Sequence, residues 1–112
     1  MEILQTRQGT TLVFSLSGRL DARTSETFEQ QLLAAIAAGE RSVLMNFSKL
    51  NYISSAGLRV LLLAAKKLQV SSGKIALCSL EPALKTVFDI AGFSTIFPIF
   101  VSQEEAIQGL LN

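Results

Sequence analysis

The stretch that decides the fold is residues 46–63, NFSKLNYISSAGLRVLLL. It starts as a buried strand and ends as a leucine-rich helix, with Ser54 and Ser55 at the short loop between them. The first N–H groups of a helix have no intrahelical acceptor, and the helix dipole favours negative charge beside them. A hydroxyl or a phosphate at this position therefore faces oriented donors. The junction is the candidate functional site.

Hydrophobic spacing defines the elements on both sides of the junction. Val43–Met45 is continuously apolar and the run ends in Phe47, which is typical of a central strand covered by helices on at least one face. The helix that begins near Ser55 has its apolar residues three or four positions apart, and Ser71–Gly73 ends it. The sequence therefore predicts a strand, a short loop and an amphipathic helix.

The same reasoning extends outward to both ends of the chain. It predicts a hairpin of two strands with its turn at Arg7–Gly9, a helix, two further strands and two further helices: Glu2–Thr6, Thr10–Ser17, Ala22–Ala38, Lys74–Cys78, a helix from Pro82 closed by Gly92, Ile96–Val101, and a helix opened by a capping box at Ser102–Glu105. The order β-β-α-β-α-β-α-β-α predicts an α/β fold, a mixed and mostly parallel open sheet with an N-terminal β-hairpin and about four helices. Residues 1–112 are expected to form a single domain.

Composition excludes several classes of function. The net charge is +1 with no basic stripe, so direct binding of nucleic acid is not expected. No apolar run has the ~18 residues of a membrane span, and the single cysteine, Cys78, fits a core position in a reducing cytoplasm. The chain has no histidine, which removes a Ser-His-Asp triad and histidine metal ligation. We therefore predict a cytoplasmic protein that is not an enzyme, with no catalytic residues, no cofactor and no metal.

Three motifs carry a resemblance to a known family: Gly18–Asp21, Asn46–Ser48 and Tyr52–Leu61. With Pro82–Phe93, they resemble the STAS domain of anti-sigma factor antagonists (anti-anti-sigma factors) along the chain from the first strand to the last helix. This resemblance implies a binding protein that releases a sigma factor by capturing its anti-sigma factor. That anti-sigma factor is a serine kinase, which inactivates the antagonist by phosphorylating it.

The resemblance also assigns roles to individual residues. Ser55, two residues before the helix-opening glycine, is the implied phosphoacceptor, and several family members have an acidic residue where this chain has Ser54 and a second hydroxyl where it has Ala56. We expect the partner to contact a set of residues around the acceptor: Asp21, Ser54, Ala56, Gly57 and Arg59. Asn46 and Ser48 are expected to support the loop. Plainer interpretations remain open, since Asp21 and one of the two serines can simply cap a helix and an exposed Arg59 is often simply solvated.

The implied partners are an anti-sigma factor serine kinase and a phosphatase that removes the phosphate, with the chain itself a monomer or weak homodimer. Two alternatives stay open. The chain could be a constitutive STAS adaptor or subunit of a transport or signalling assembly, in which Ser55 is an unmodified cap. It could also be a nucleotide- or anion-binding module that uses the helix N-terminus.

Overall fold

The computed structural model describes residues 1–111 and contains nine regular strands and helices in the predicted order. They are β1 (Glu2–Gln8), β2 (Thr11–Leu20), α1 (Ala22–Ala37), β3 (Ser42–Ile53), α2 (Ser55–Val70), β4 (Lys74–Cys78), α3 (Pro82–Ile90), β5 (Ile99–Phe100) and α4 (Gln103–Leu111), with a 3₁₀ turn at Phe93–Thr95. The strand order in space is β1-β2-β3-β4-β5. Only β1 and β2 are antiparallel, and the other neighbours are parallel. The predicted fold class is therefore confirmed.

The sheet separates two hydrophobic cores of unequal size. Val43 and Met45 contribute to the larger core, which is closed by α1, α2 and α3. Leu44, between them in sequence, contributes to the smaller core under α4. Alternate side chains of a strand point to opposite faces, so a continuously apolar strand must be covered on both sides. The predicted central strand is thus confirmed, with helices on both faces.

The N-terminal hairpin is confirmed, but its turn lies later than predicted. Gln8 pairs with Thr11, so the loop consists of Gly9 and Thr10 alone, and Arg7 belongs to β1. Gly9 has φ +62, a backbone conformation that residues with a Cβ rarely adopt. The strand pattern therefore continues to the residue before the turn glycine.

The predicted last strand, Ile96–Val101, is wrong in extent because only Ile99 and Phe100 form β5. Pro98 has no N–H to donate to the neighbouring strand, although its carbonyl accepts from Leu77 N–H at 2.9 Å. The N–H groups of Ile96 and Phe97 are instead donated to the Phe93 carbonyl in the preceding 3₁₀ turn. The apolar run predicts a longer strand, but local hydrogen bonds and the proline shorten the strand to two residues.

Strand β3 is longer than the prediction that ended it at Phe47. Its pairing with β4 stops at Asn46, but its pairing with β2 continues to Ile53. The extension brings the end of β3 beside the end of β2, where Leu20 pairs with Ile53. The helices α1 and α2 consequently start next to each other at one edge of the sheet.

Candidate functional site

The junction between β3 and α2 is a single residue, Ser54. Its N–H donates to the Leu20 carbonyl at 2.8 Å, which continues the sheet, and its φ and ψ of −91° and 171° are extended. Its Oγ accepts from Gly57 N–H at 3.3 Å, and its carbonyl accepts from Leu58 N–H at 3.0 Å. Ser54 is therefore the N-cap of α2, and the short loop of the sequence prediction is reduced to this residue.

Ser55 is the first residue of α2, and its side chain is exposed. Within residues 1–111, the structure records no hydrogen bond to its hydroxyl. The first N–H groups of a helix have no intrahelical acceptor. The Ser54 side chain satisfies that of Gly57, which leaves the N–H groups of Ser55 and Ala56 as open donors. A group attached to the Ser55 oxygen would thus lie beside open donors and the positive end of the helix dipole.

Gly57 is buried against the end of the sheet. A Cβ at this position would lie 2.9 Å from Ile53 Cγ1 and 2.9 Å from Leu20 Cγ, closer than carbon atoms normally approach. The first turn of α2 therefore packs directly on the paired ends of β2 and β3. This packing fixes where Ser55 is presented.

Asp21 caps the neighbouring helix, α1. Its Oδ1 accepts from the N–H groups of Arg23 and Thr24, each at 3.1 Å, and Thr24 Oγ1 accepts from Asp21 N–H at 2.9 Å, which completes a capping box. The hydrogen bond from Thr24 N–H is the main cause that holds the pKa of Asp21 below its usual value, with a smaller contribution from the charge of Arg19. The cap predicted for Asp21 is confirmed, and its contact with a partner stays a prediction.

Arg59 lies one turn after Ser55 but contacts α1. Its Nη2 is 2.7 Å from Oε1 of Glu29, and the two side chains are 62% and 28% exposed. Arg59 is therefore both exposed and paired with Glu29, and its contact with a partner stays a prediction. Spacing within one helix could not reveal this ion pair, because Glu29 belongs to another element.

Sequence reasoning missed a stacked pair at the same edge. The guanidinium carbon of Arg19 lies 4.0 Å from the centre of the Tyr52 ring, and the two residues are paired across β2 and β3. Both side chains are exposed. Only the strand register could have identified this pair, since the residues are far apart in sequence.

Asn46 and Ser48 lie within β3 and not at the strand end that the sequence predicted, and their support of the loop stays a prediction. Both belong to β3, where Asn46 Oδ1 accepts from Ser48 N–H at 3.0 Å beside an irregularity in the pairing with β2. Asn46 Nδ2 also donates to Gln103 Oε1 at 2.8 Å, which connects the strand to α4. Because β3 extends past Phe47, Asn46 contacts α4 from within the strand.

The remaining candidates meet at the carboxyl edge of β2 and β3. The paired ends of these strands bring Asp21 beside the turn Ser54–Gly57, and Arg59 follows on the same helix. In residues 1–111 no group of three or more acidic, cysteine or histidine side chains is placed to hold a metal ion, and no helix is long and apolar enough to cross a membrane. The arrangement offers a hydroxyl, helix donors and charged neighbours.

Comparison with known proteins places this architecture in a family. The model of the STAS domain matches residues 3–106. BtrV of Bordetella bronchiseptica, a candidate anti-sigma factor antagonist, is 44% identical over 95 residues, which are 85% of this chain and 82% of BtrV.

Two solved structures share the fold. The candidate anti-sigma factor antagonist of Thermotoga maritima has a TM-score of 0.94 at 17% identity, with 98% of this chain and 95% of that chain covered. The phosphorylated form of the Bacillus cell fate determinant SpoIIAA has a TM-score of 0.77 at 25% identity, with 96% of this chain and 97% of that chain covered. The family model spans nearly the whole sequence and agrees with the observed fold, so this chain belongs to the STAS domain family of anti-sigma factor antagonists.

Proposed function

We propose that this chain binds an anti-sigma factor serine kinase in a partner-switching pathway and is inactivated when that kinase phosphorylates Ser55. A phosphatase that removes the phosphate returns the chain to its binding form. The observation that carries the proposal is that two adjacent serines have different structural surroundings. Ser54 caps α2, whereas the exposed Ser55 is not needed for the cap.

The helix start tolerates the modification. A phosphate adds about −1.5 to −2 charges and three acceptor oxygens near neutral pH. Negative groups at a helix N-terminus are favoured by about 0.3–1 kcal/mol, and the N–H groups of Ser55 and Ala56 are available as donors. The phosphorylated chain should therefore stay folded, and the main effect should fall on the partner.

The partner is released because of what the phosphate does to an interface. A charge that is desolvated without a matching cation is costly, so a surface that fits a neutral hydroxyl excludes a phosphate. SpoIIAA, a relative in structure, has been solved in a phosphorylated form, which supports the proposal by analogy.

Intact-mass measurement tests the proposal. After incubation with the cognate kinase and ATP, the wild-type chain should gain about 80 Da, the mass of one phosphoryl group. The Ser54→Ala variant should gain the same mass and Ser55→Ala should gain none, which makes two adjacent serines each other's control. An unmodified wild-type chain would contradict the proposal and favour the constitutive adaptor.

A further inference from the structure

The starting point is the spacing between Ser55 and Arg59. Residues four apart in a helix share one face, and helical side chains lean toward the N-terminus of their helix. Arg59 is therefore positioned to reach the turn that contains Ser55. Its guanidinium can donate two parallel hydrogen bonds to a phosphate.

In the unmodified chain this guanidinium is held by a different group. Arg59 Nη2 lies 2.7 Å from Glu29 Oε1 on α1. With 62% of the arginine side chain and 28% of the glutamate side chain exposed, water and salt weaken the pair. Such a pair can exchange partners without disturbing the core.

We propose that Arg59 transfers from Glu29 to the phosphate when Ser55 is phosphorylated, which makes the Glu29–Arg59 ion pair a component of the switch. This inference rests on the proposed function, because it requires phosphorylation of Ser55. A phosphoserine carries more negative charge than one carboxylate and offers three acceptor oxygens. It also lies on the same helix as Arg59, so the new pair forms without ordering a loop.

The transfer changes the binding surface by more than the phosphate itself. Arg59 becomes neutralised by the phosphate, and the carboxylate of Glu29 loses its counter-charge. A partner that fits the unmodified surface then meets a phosphate that Arg59 compensates only in part at the start of α2, and an unpaired carboxylate on α1. The negative charge that the phosphate adds is thereby divided between two places on the binding surface.

The experiment measures the second pKa of the phosphate by ³¹P NMR titration in the full chain at low salt. Phosphoserine is inserted at position 55 during translation, so the measurement needs no kinase. Removing the cation in Arg59→Gln should raise this pKa by about 0.15–0.4, since the dianion loses its partner. Removing the competitor in Glu29→Gln should lower it by a similar amount, since Arg59 is then free to pair.

Two matched variants control for general changes of charge. Lys66→Gln removes one exposed positive charge from α2 more than a turn beyond Arg59, and Glu26→Gln removes one exposed carboxylate from α1. Each should shift the phosphate pKa by less than half as much as the variant it controls. The other charged groups at this edge, Arg19, Asp21 and Arg23, are the same in every variant.

A second signal reports on the arginine directly. The Nε–H resonance of Arg59 should move when the serine at position 55 is replaced by phosphoserine, and the move should be larger in Glu29→Gln. A phosphate pKa that Arg59→Gln and Lys66→Gln change equally would overturn the inference, as would an unmoved Arg59 resonance. Neither result would bear on whether a kinase modifies Ser55, so the two proposals fail separately.

Discussion

The starts of α1 and α2 are neighbours in space and are built differently. At the start of α1, Asp21 and Thr24 form a complete capping box, and Ser25 Oγ donates to the Asp21 carbonyl. At the start of α2, Ser54 satisfies one N–H through a single bond at 3.3 Å, and the next residue, Ser55, is exposed. At the first junction the side chains of Asp21 and Thr24 satisfy three N–H groups, whereas at the second one side chain satisfies a single N–H group and the Ser55 hydroxyl is exposed.

This difference shows where a switch can be placed. A charge added to the start of α1 would compete with the Asp21 carboxylate, whose Oδ1 already accepts from two N–H groups. The same charge at the start of α2 meets open donors. The start of α1 is stabilised by its own capping bonds, whereas the start of α2 can accept an added negative group.

The largest expected effect is on the affinity for the kinase and tests whether the start of α2 lies in the interface. Ser55→Asp should weaken binding to the anti-sigma factor kinase by about 100-fold or more, because a carboxylate in the centre of an interface lacks a partner cation. Ser55→Ala should bind as tightly as the wild-type chain. Isothermal titration calorimetry with the cognate kinase measures both, and equal affinities for the two variants would contradict the proposed function.

The second prediction concerns the packing that holds the switch in place. Gly57→Val should lower the free energy of unfolding by about 1–3 kcal/mol, since its side chain would overlap Ile53 and Leu20. Urea denaturation measures this loss. The matched control is Ala22→Val in the exposed first turn of α1, which should cost much less. Equal costs would show that the close approach at Gly57 is not required.

The third prediction tests the Asp21 cap of α1 through the pH dependence of thermal stability. Asp21→Ala should lower the melting temperature at pH 7 by a few degrees, because two N–H groups lose their acceptor. The pKa of Asp21 is lower in the folded chain than its ordinary value of 3.8, so its stabilisation is complete above pH 3.8 and disappears as the pH falls through the folded pKa. The difference between Asp21→Ala and wild type should narrow in acid.

A control separates the charge of Asp21 from its role as an acceptor. Asp21→Asn keeps a side-chain oxygen for the cap and does not titrate. Its melting temperature should lie between those of the wild type and Asp21→Ala at pH 7. A wild-type advantage that grew as the pH fell would contradict the lowered pKa.

The smallest effect concerns the weaker cap. Ser54→Ala should cost about 0.5–1 kcal/mol of stability, at the lower end for N-caps, because one long hydrogen bond is lost. Ser55→Ala should be nearly neutral in the same urea denaturation. If Ser55→Ala cost as much as Ser54→Ala, the two serines would share the cap and the comparison between them would fail.

Much of the fold could be predicted from the sequence, and the errors have physical causes. The bounds of β4 and the first residue of α2 follow from apolar spacing and from glycine and serine punctuation. The error at Ile96–Val101 arose because the apolar pattern was given more weight than Pro98, which has no N–H to donate. The pattern also does not reveal that the preceding 3₁₀ turn uses the N–H groups of Ile96 and Phe97. Local pattern identifies elements better than it identifies their ends.

The candidate site was predictable only in part for the same reason. The helix start at Ser54 and Ser55 and the cap at Asp21 are local features, and both lie where the sequence indicated. The Glu29–Arg59 ion pair and the stacking of Arg19 on Tyr52 join residues from different elements. Contacts of this kind depend on register and helix packing, which a single sequence does not specify.

The sequence by itself determined the order of the elements and placed two hydroxyls at a helix start, because periodicity and capping are properties of consecutive residues. Tertiary structure decided which serine caps and which is exposed, how far β3 extends, and which carboxylate holds Arg59. These outcomes depend on groups brought together across the sheet, where packing and hydrogen-bond competition select one arrangement among several that the local pattern permits.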